Sequence, residues 1–300
     1  MKILSYFFSI LIASLCIILN GNSQEMTTKE NAAYKVGDYE VFVLVEGGGD
    51  AETDLLINAP ADITAKYTPN GTFPIATNAV LVKGKGKVWL IDTGYGWNIL
   101  KNMENHGVSP RDVDHILLTH MHGDHIGGML SDGEPVFPNA SVIIGDKELA
   151  YWTSDDEMNK VPHNQREYFH TAQKVLEQYG QKVESVQALA LNGNYADGIF
   201  PIEGYGHTPG HIMFLISDGD EKLLVWGDLT HALAVQMPHP EISVIYDVYP
   251  DMARESRLKA LKYLAGKDIA VIGMHIPDLQ PGKIVKDDNS GGYKFEPARK

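Results

Sequence analysis

Apolar positions along this chain follow two rhythms. Short runs rich in Val, Ile and Leu, such as residues 39–46 (Tyr-Glu-Val-Phe-Val-Leu-Val-Glu), have the β-branched content of strands. Other stretches place their apolar residues at helical spacing. After the first strand, Gly47-Gly48-Gly49-Asp50 reads as a turn. Residues 51–77 lack a clear period and carry Pro60, Pro69, Gly71 and Pro74, so they read as a long loop with a short helix near 52–57. A loop of that length in a compact domain is commonly a lid, which would bring Tyr67 and Phe73 to a substrate; a surface loop pinned by those aromatics fits equally. Residues 78–83 and 87–92 read as a hairpin through Gly84-Lys85-Gly86. Residues 97–106 read as a helix ended by Gly107, with Ser109-Pro110-Arg111-Asp112 capping the next turn.

The alternation continues to the C-terminus. Residues 140–145 predict a strand and 146–152 a helix, followed by an acidic, irregular stretch over 153–163. Tyr168, Phe169, Ala172, Val175, Leu176 and Tyr179 share one helical face over 165–179, closed by Gly180. Strands are expected at 199–203, 212–217, 222–226, 241–246 and 269–273, an amphipathic helix at 251–264, and an edge strand near 291–295. Strand-then-helix units in both halves predict the α/β (α+β) class: an αββα sandwich of two mixed β-sheets flanked by helices. Both halves feed one rim, so residues 24–300 are read as one domain.

The apolar run Ile116-Leu117-Leu118 fits a buried strand of a parallel sheet, and Thr-His-Met-His-Gly-Asp-His-Ile-Gly-Gly follows it. His120, His122, Asp124 and His125 therefore sit where that strand ends, the edge at which open α/β sheets bind ligands. Imidazole nitrogen with carboxylate oxygen, without thiolate, suits zinc or another first-row divalent ion. His120 and His122 are two apart and can face one ion. Asp124 and His125 are adjacent and better placed for a second. Ile126-Gly127-Gly128 is expected to open a short helix whose small residues let backbone approach the site.

The motif Thr119-His120-Met121-His122-Gly123-Asp124-His125 resembles the signature of the metallo-β-lactamase-fold hydrolases. Gly206-His207-Thr208-Pro209-Gly210-His211 resembles that family's third-histidine motif. Trp226-Gly227-Asp228 resembles its bridging-aspartate motif, and Gly273-Met274-His275 its last-histidine motif. The resemblance covers nearly all of residues 24–300. It implies two zinc ions per chain, with other divalent first-row metals as alternatives. One ion would take His120, His122 and His207, and the other Asp124, His125 and His275, with Asp228 bridging. It implies a hydroxide shared by the two ions as nucleophile, and no Gly-x-Ser-x-Gly elbow competes with it. Asp92-Thr93-Gly94 resembles a motif whose Asp holds a ligand histidine in orientation.

Asp124 and His231 are the candidate catalytic residues. Asp124 would double as proton carrier for a leaving alkoxide. His231 stands three residues after Asp228, where some acyl-homoserine lactonases of this fold have a Tyr. Trp226-Gly227-Asp228-Leu229-Thr230-His231, with Val235-Gln236 after it, is similar to the branch containing methyl parathion hydrolase and exported acyl-homoserine lactonases. There His231 would position substrate or donate to an oxyanion. His211 reads as a structural residue behind the metal, and His163 and His170 as ordinary surface or packing residues.

Composition narrows the function. A net charge of −14 over 300 residues argues against nucleic acid as substrate, whose phosphates need Lys and Arg contacts, and disfavours docking on anionic lipid. Met1-Lys2, an apolar run to Leu19, and small residues up to Ser23 read as a signal peptide over 1–23, cleaved after Ser23. The run is short for stable membrane insertion, so a periplasmic or secreted protein is expected, with a lipoprotein anchored at Cys16 as the alternative. Cys16 is the only cysteine; the mature chain then has no thiolate ligand and no disulfide. That separates it from zinc β-lactamases with a Cys ligand, whose place Asp228 takes. The resemblance implies opening of lactones such as N-acyl-homoserine lactones, a quorum-quenching activity, with phosphotriester hydrolysis as alternative. β-Lactamase activity is weakened by the missing Cys, thioester hydrolysis by export, and RNA processing by export and charge. A small-molecule lactone or ester is the expected partner, and the resemblance suggests a homodimer.

Overall fold

The computed structural model describes residues 33–278 and 280–298. The expected signal segment 1–23, its cleavage site and Cys16 lie outside the described residues.

Period-two alternation builds the first large sheet. In the strand Tyr39–Glu52, Val41 and Val43 share one face and Phe42 and Leu44 the other, and all four are buried. The sheet runs in the spatial order Tyr34–Val36, Tyr39–Glu52, Thr72–Gly84, Lys87–Ile91, His115–Leu117, Ser141–Gly145, Val183–Val186. The first four strands pair antiparallel, and from Lys87–Ile91 onward the pairing is parallel. The second sheet has the order Gly198–Glu203, Ile212–Asp218, Glu221–Val225, Ala270–Ile272, Gly282–Lys286, Tyr293–Pro297. Only Glu221–Val225 and Ala270–Ile272 are parallel there.

The two sheets face each other across a shared core. Val41, Val43, Val80, Val82, Ile91 and Leu117 of the first meet Ile212, Phe214, Ile216, Leu223, Val225 and Ile272 of the second. The outer face of the first sheet packs Leu44, Leu81, Leu90 and Ile116 under Ile99, Met103, Phe169, Ala172 and Val175 of the helices Ile99–Asn105 and Arg166–Tyr179. The outer face of the second packs Met213, Leu215 and Val271 under Ala260, Leu261 and Leu264 of the helix Pro250–Leu264. This is the expected αββα sandwich. With both faces covered, the strands read as near-continuous apolar runs.

Parallel pairing sets the site's position. Lys87–Ile91, His115–Leu117, Glu221–Val225 and Ala270–Ile272 are followed at once by the segments carrying Asp92, His120, Asp228 and His275. Beside His275 the sheets are stitched together by Asn78. Its side-chain amide donates to the carbonyls of Gly273 (3.2 Å) and Ile276 (2.8 Å), and its N–H to that of Met274 (2.9 Å).

Several sequence expectations are corrected. Gly47-Gly48-Gly49-Asp50 is no turn: it continues the strand Tyr39–Glu52, paired with residues 74–77. The expected loop over 51–77 holds a 3-10 turn Thr53–Leu55, the strand Leu56–Ile57, the helix Ala61–Tyr67 and the start of Thr72–Gly84. Long-range pairing overrides weak local propensity there. Phe73 is 1% exposed and packs with Leu56, Ala232, Val235, Ile242 and Val244, so it is core and not a substrate contact. The acidic stretch after 153 contains the helix Asp155–Lys160; Ser154 caps it by accepting the Glu157 N–H at 3.2 Å, and Asp155, Asp156 and Glu157 suit its N-terminus. The strand expected over 241–246 shrinks to Ser243–Val244. Two further strands, Val183–Val186 and Gly282–Lys286, had no period to betray them. Among the described residues no helix is long and apolar enough to cross a membrane.

A register shift between Val45 and Gly47 leaves Glu46 without a cross-strand partner, and such bulges re-aim a side chain. The buried Glu46 carboxylate accepts the N–H groups of Gly96 (2.8 Å), Trp97 (2.8 Å) and Asn98 (3.0 Å).

Candidate metal centre

At the rim, the loop after His115–Leu117 delivers His120 and His122, and the short helix Gly123–Ile126 delivers Asp124 and His125. From the second sheet come His207, Asp228 and His275, so all seven expected ligands converge. His122 Nδ1 lies 3.1 Å from His120 Nε2 and 3.0 Å from His207 Nε2. Asp124 Oδ2 lies 3.6 Å from His125 Nε2 and 3.5 Å from His275 Nε2. Asp228 stands between these groups. Its Oδ2 is 3.6 Å from His120 Nε2, 3.1 Å from His207 Nε2 and 2.9 Å from His275 Nε2, while its Oδ1 is 3.3 Å from His125 Nε2. Gly227 makes that placement possible: its φ is +58°, and a Cβ there would sit 2.4 Å from His211 Nε2.

The donor set fits a metal pair. Three imidazole nitrogens face one point, with a single Nδ1 shared between two neighbours. Zinc–nitrogen bonds of about 2.0–2.1 Å in tetrahedral geometry put ligand nitrogens about 3.3 Å apart, close to the spacings seen. His125 Nε2 and Asp228 Oδ1 are buried without a hydrogen-bond partner, which is costly unless a cation satisfies them. The charges agree. Burial drives His120 well below its ordinary pKa and His122 to about 3, leaving neutral nitrogens with free lone pairs. Burial also opposes a charged His125 and His207, yet the carboxylates around them win. Asp228, Asp124 and Asp92 raise His125, and Asp228 and Asp247 raise His207 to about 9. The buried carboxylates thus demand positive charge, which a divalent ion could supply in place of protons.

Further carboxylates orient the imidazoles. Asp92, at φ +56°, takes the His125 Nδ1 contact at 2.7 Å while accepting the N–H (2.8 Å) and hydroxyl (2.6 Å) of Thr119. Asp247 pairs with His207 Nδ1 at 2.9 Å. His275 Nδ1 lies 2.8 Å from the Ala76 carbonyl. Such contacts fix which nitrogen of an imidazole stays free. His211 accepts the Asp228 N–H at 3.0 Å and sits behind the site, where the sequence placed it. Asp247 was missed because the surrounding sequence read as a plain strand; a carboxylate at the end of an apolar run, as at Asp92, was the available signal.

His231 is buried beside the cluster. Its Nε2 is 3.2 Å from Asp228 Oδ2, its ring stacks on His275 at 4.5 Å, and the Gln236 side-chain oxygen accepts its backbone N–H at 2.7 Å. Burial, then the nearby His275, lower its pKa to about 4, so the ring is neutral. Tyr246 lies 6.0 Å from it. Tyr95 stacks on Trp97 at 4.4 Å, and the hydroxyls of Tyr95 and Tyr246 are raised by burial and by the charge of Asp124. His163 and His170 are exposed and take no part.

Comparison with known proteins agrees with this geometry. The family model of the metallo-beta-lactamase superfamily matches residues 72–275. The chain belongs to that superfamily. It is 28% identical to the crystal structure of hydrolase AbOPH of the beta lactamase superfamily, with a TM-score of 0.78 over 90% of this chain and 97% of that one. It is also 28% identical to AidC, a dizinc quorum-quenching lactonase solved with the product N-hexanoyl-L-homoserine, with a TM-score of 0.79 over 89% and 97% of the two chains. An uncharacterized protein, YobT, of Bacillus subtilis (strain 168) is 28% identical over 156 residues, which are 52% of this chain and 62% of that protein. The chain thus spans less than two thirds of that curated relative.

Proposed function

We propose that the chain is a dinuclear zinc hydrolase that opens lactones, with N-acyl-homoserine lactones as favoured substrates. The supporting observation is the convergence of His231 and all seven metal-facing side chains on one rim, in a chain 28% identical to a dizinc lactonase over 89% of its length. His120, His122 and His207 would hold one ion, and Asp124, His125 and His275 the other, with Asp228 shared. When bound, the ions supply Lewis acidity, lowering the pKa of water from about 15.7 toward about 7 and polarising a carbonyl oxygen.

The chain's own residues complete the reaction. The Asp124 side chain is 18% exposed against 2% for Asp228, so it is the metal-facing carboxylate with access to water. It takes the proton that the attacking water gives up and returns it to the alkoxide freed when the ring C–O bond breaks. One water is consumed and one hydroxy acid formed. His231 holds a neutral N–H donor beside the point where negative charge develops on the carbonyl oxygen. Tyr95, Trp97 and Tyr246 offer apolar surface to an acyl chain. Export through residues 1–23 would place the enzyme in the periplasm or outside the cell.

The test compares a long-chain acyl-homoserine lactone with a paraoxon-type triester, for the wild type and His231→Ala. Lactone opening is expected, with kcat falling roughly 10²-fold in the variant at unchanged metal content. Turnover of the triester alone would replace the lactone reading with phosphotriester hydrolysis.

A further inference from the structure

A buried carboxylate outside the ligand set joins the two segments that carry His120, His122 and His207. Glu148 lies on the first turn of the helix Asp146–Trp152 and is fully buried. Its Oε1 accepts the Met121 N–H (2.9 Å) and the Trp152 indole N–H (2.6 Å). Its Oε2 accepts the Thr208 hydroxyl (2.6 Å) and the Gly210 N–H (3.1 Å). All four donors are neutral, so the contacts satisfy the carboxylate without discharging it. Met121 stands between His120 and His122, and Thr208 follows His207. The fit is close: a Cβ on Gly210 would sit 1.9 Å from the Glu148 nitrogen, so the two backbones touch.

The geometry points to Glu148 as a positioning residue that sets the distance between the His120/His122 pair and His207, and so tunes retention of one ion without the other. This rests on the two-ion reading above. Residues 120–122 leave the first sheet and 207–210 link the strands Gly198–Glu203 and Ile212–Asp218 of the second, so the two segments are far apart in sequence. Besides the Ile212 N–H bond to the Thr119 carbonyl (2.9 Å), one side chain with two oxygens joins them: Oε1 holds Met121, and Oε2 holds Thr208 and Gly210. Glu46 is the natural comparison. It is equally buried and accepts three backbone N–H groups, but from Gly96, Trp97 and Asn98, none of them adjacent to a metal-facing residue.

The test uses Glu148→Gln and Glu46→Gln in the full chain, loaded with zinc or cobalt and titrated with a competing chelator. Ions per chain and the cobalt visible absorption are read at each step. Glutamine keeps the shape but offers one acceptor oxygen, so one pair of donors loses its partner. In Glu148→Gln one of the two ions should leave with about 10–100-fold weaker affinity while the other holds, the range expected for residues that orient ligands. Glu46→Gln should release both ions where the wild type does. A Glu148→Gln protein that keeps both ions, or weakens both alike while its metal-free form melts lower, would overturn the proposal and leave Glu148 a packing residue. Should that variant fail to fold, Thr208→Val removes only the hydroxyl donor and must show the same selective loss; wild-type release there would equally overturn it. A wild-type chain that binds no metal would overturn the two-ion reading, and this proposal with it.

Discussion

Asp228 and Phe73 are both nearly inaccessible, 3% and 1% exposed, yet opposite forces hold them. Five imidazole nitrogens surround the Asp228 carboxylate within 3.6 Å. Burial alone would push its pKa up, but His125, His275 and the other histidines hold it well below the ordinary carboxylate range. Phe73 sits in the small apolar cluster of Leu56, Ala232, Val235, Ile242 and Val244. Order around Asp228 depends on counter-charge, while order around Phe73 depends on apolar area withdrawn from water. Metal should therefore control the first region and leave the second alone.

The largest effect is expected from Asp228→Ala. It removes the group shared by both halves of the cluster, so metal content should fall below two ions per chain and hydrolysis should disappear. Retention of both ions and of turnover would place the chemistry elsewhere. Phe73→Ala should cost about 3–5 kcal/mol in denaturant unfolding, as buried aromatic truncations do, while the folded protein still carries two ions. Loss of metal from that folded variant would show that the two regions are coupled. A smaller, sharper effect belongs to Asp247→Asn, which keeps the side chain's size and removes its charge beside His207. Metal affinity should drop about 10–100-fold, and the metal-free protein, which loses the partner of a protonated His207, should melt lower at neutral pH.

The seven clustered residues were legible because each is written locally. The spacing of His120, His122, Asp124 and His125 after an apolar strand states the chemistry within ten residues. Asp92, Asp228 and His275 each follow a strand, where parallel pairing must present them at one rim. The sandwich was legible for a related reason: strands buried on both faces are unmistakably apolar. What escaped reading acts across sequence. Glu148 meets Thr208 sixty residues away, and His207 meets Asp247 forty away. Nothing local marks Glu148 off from a solvated carboxylate, and Asp247 is marked only by its place just after an apolar run. Residues 47–52 form a strand only because 72–77 lie alongside, and three glycines with no side chain to alternate conceal it. Phe73, read either as a lid aromatic or as one pinning a surface loop, is core for the same reason.

The most direct measurement counts metal and turnover on the same sample. The purified full chain would be analysed for metal per chain, stripped with a chelator, and reloaded with zinc, with ring opening of a long-chain acyl-homoserine lactone followed throughout. Two ions per chain, activity lost on stripping and regained on reloading are the predicted results. Fewer than one ion per chain, with no turnover after reloading, would contradict a dinuclear hydrolase built on His120, His122, Asp124, His125, His207, Asp228 and His275.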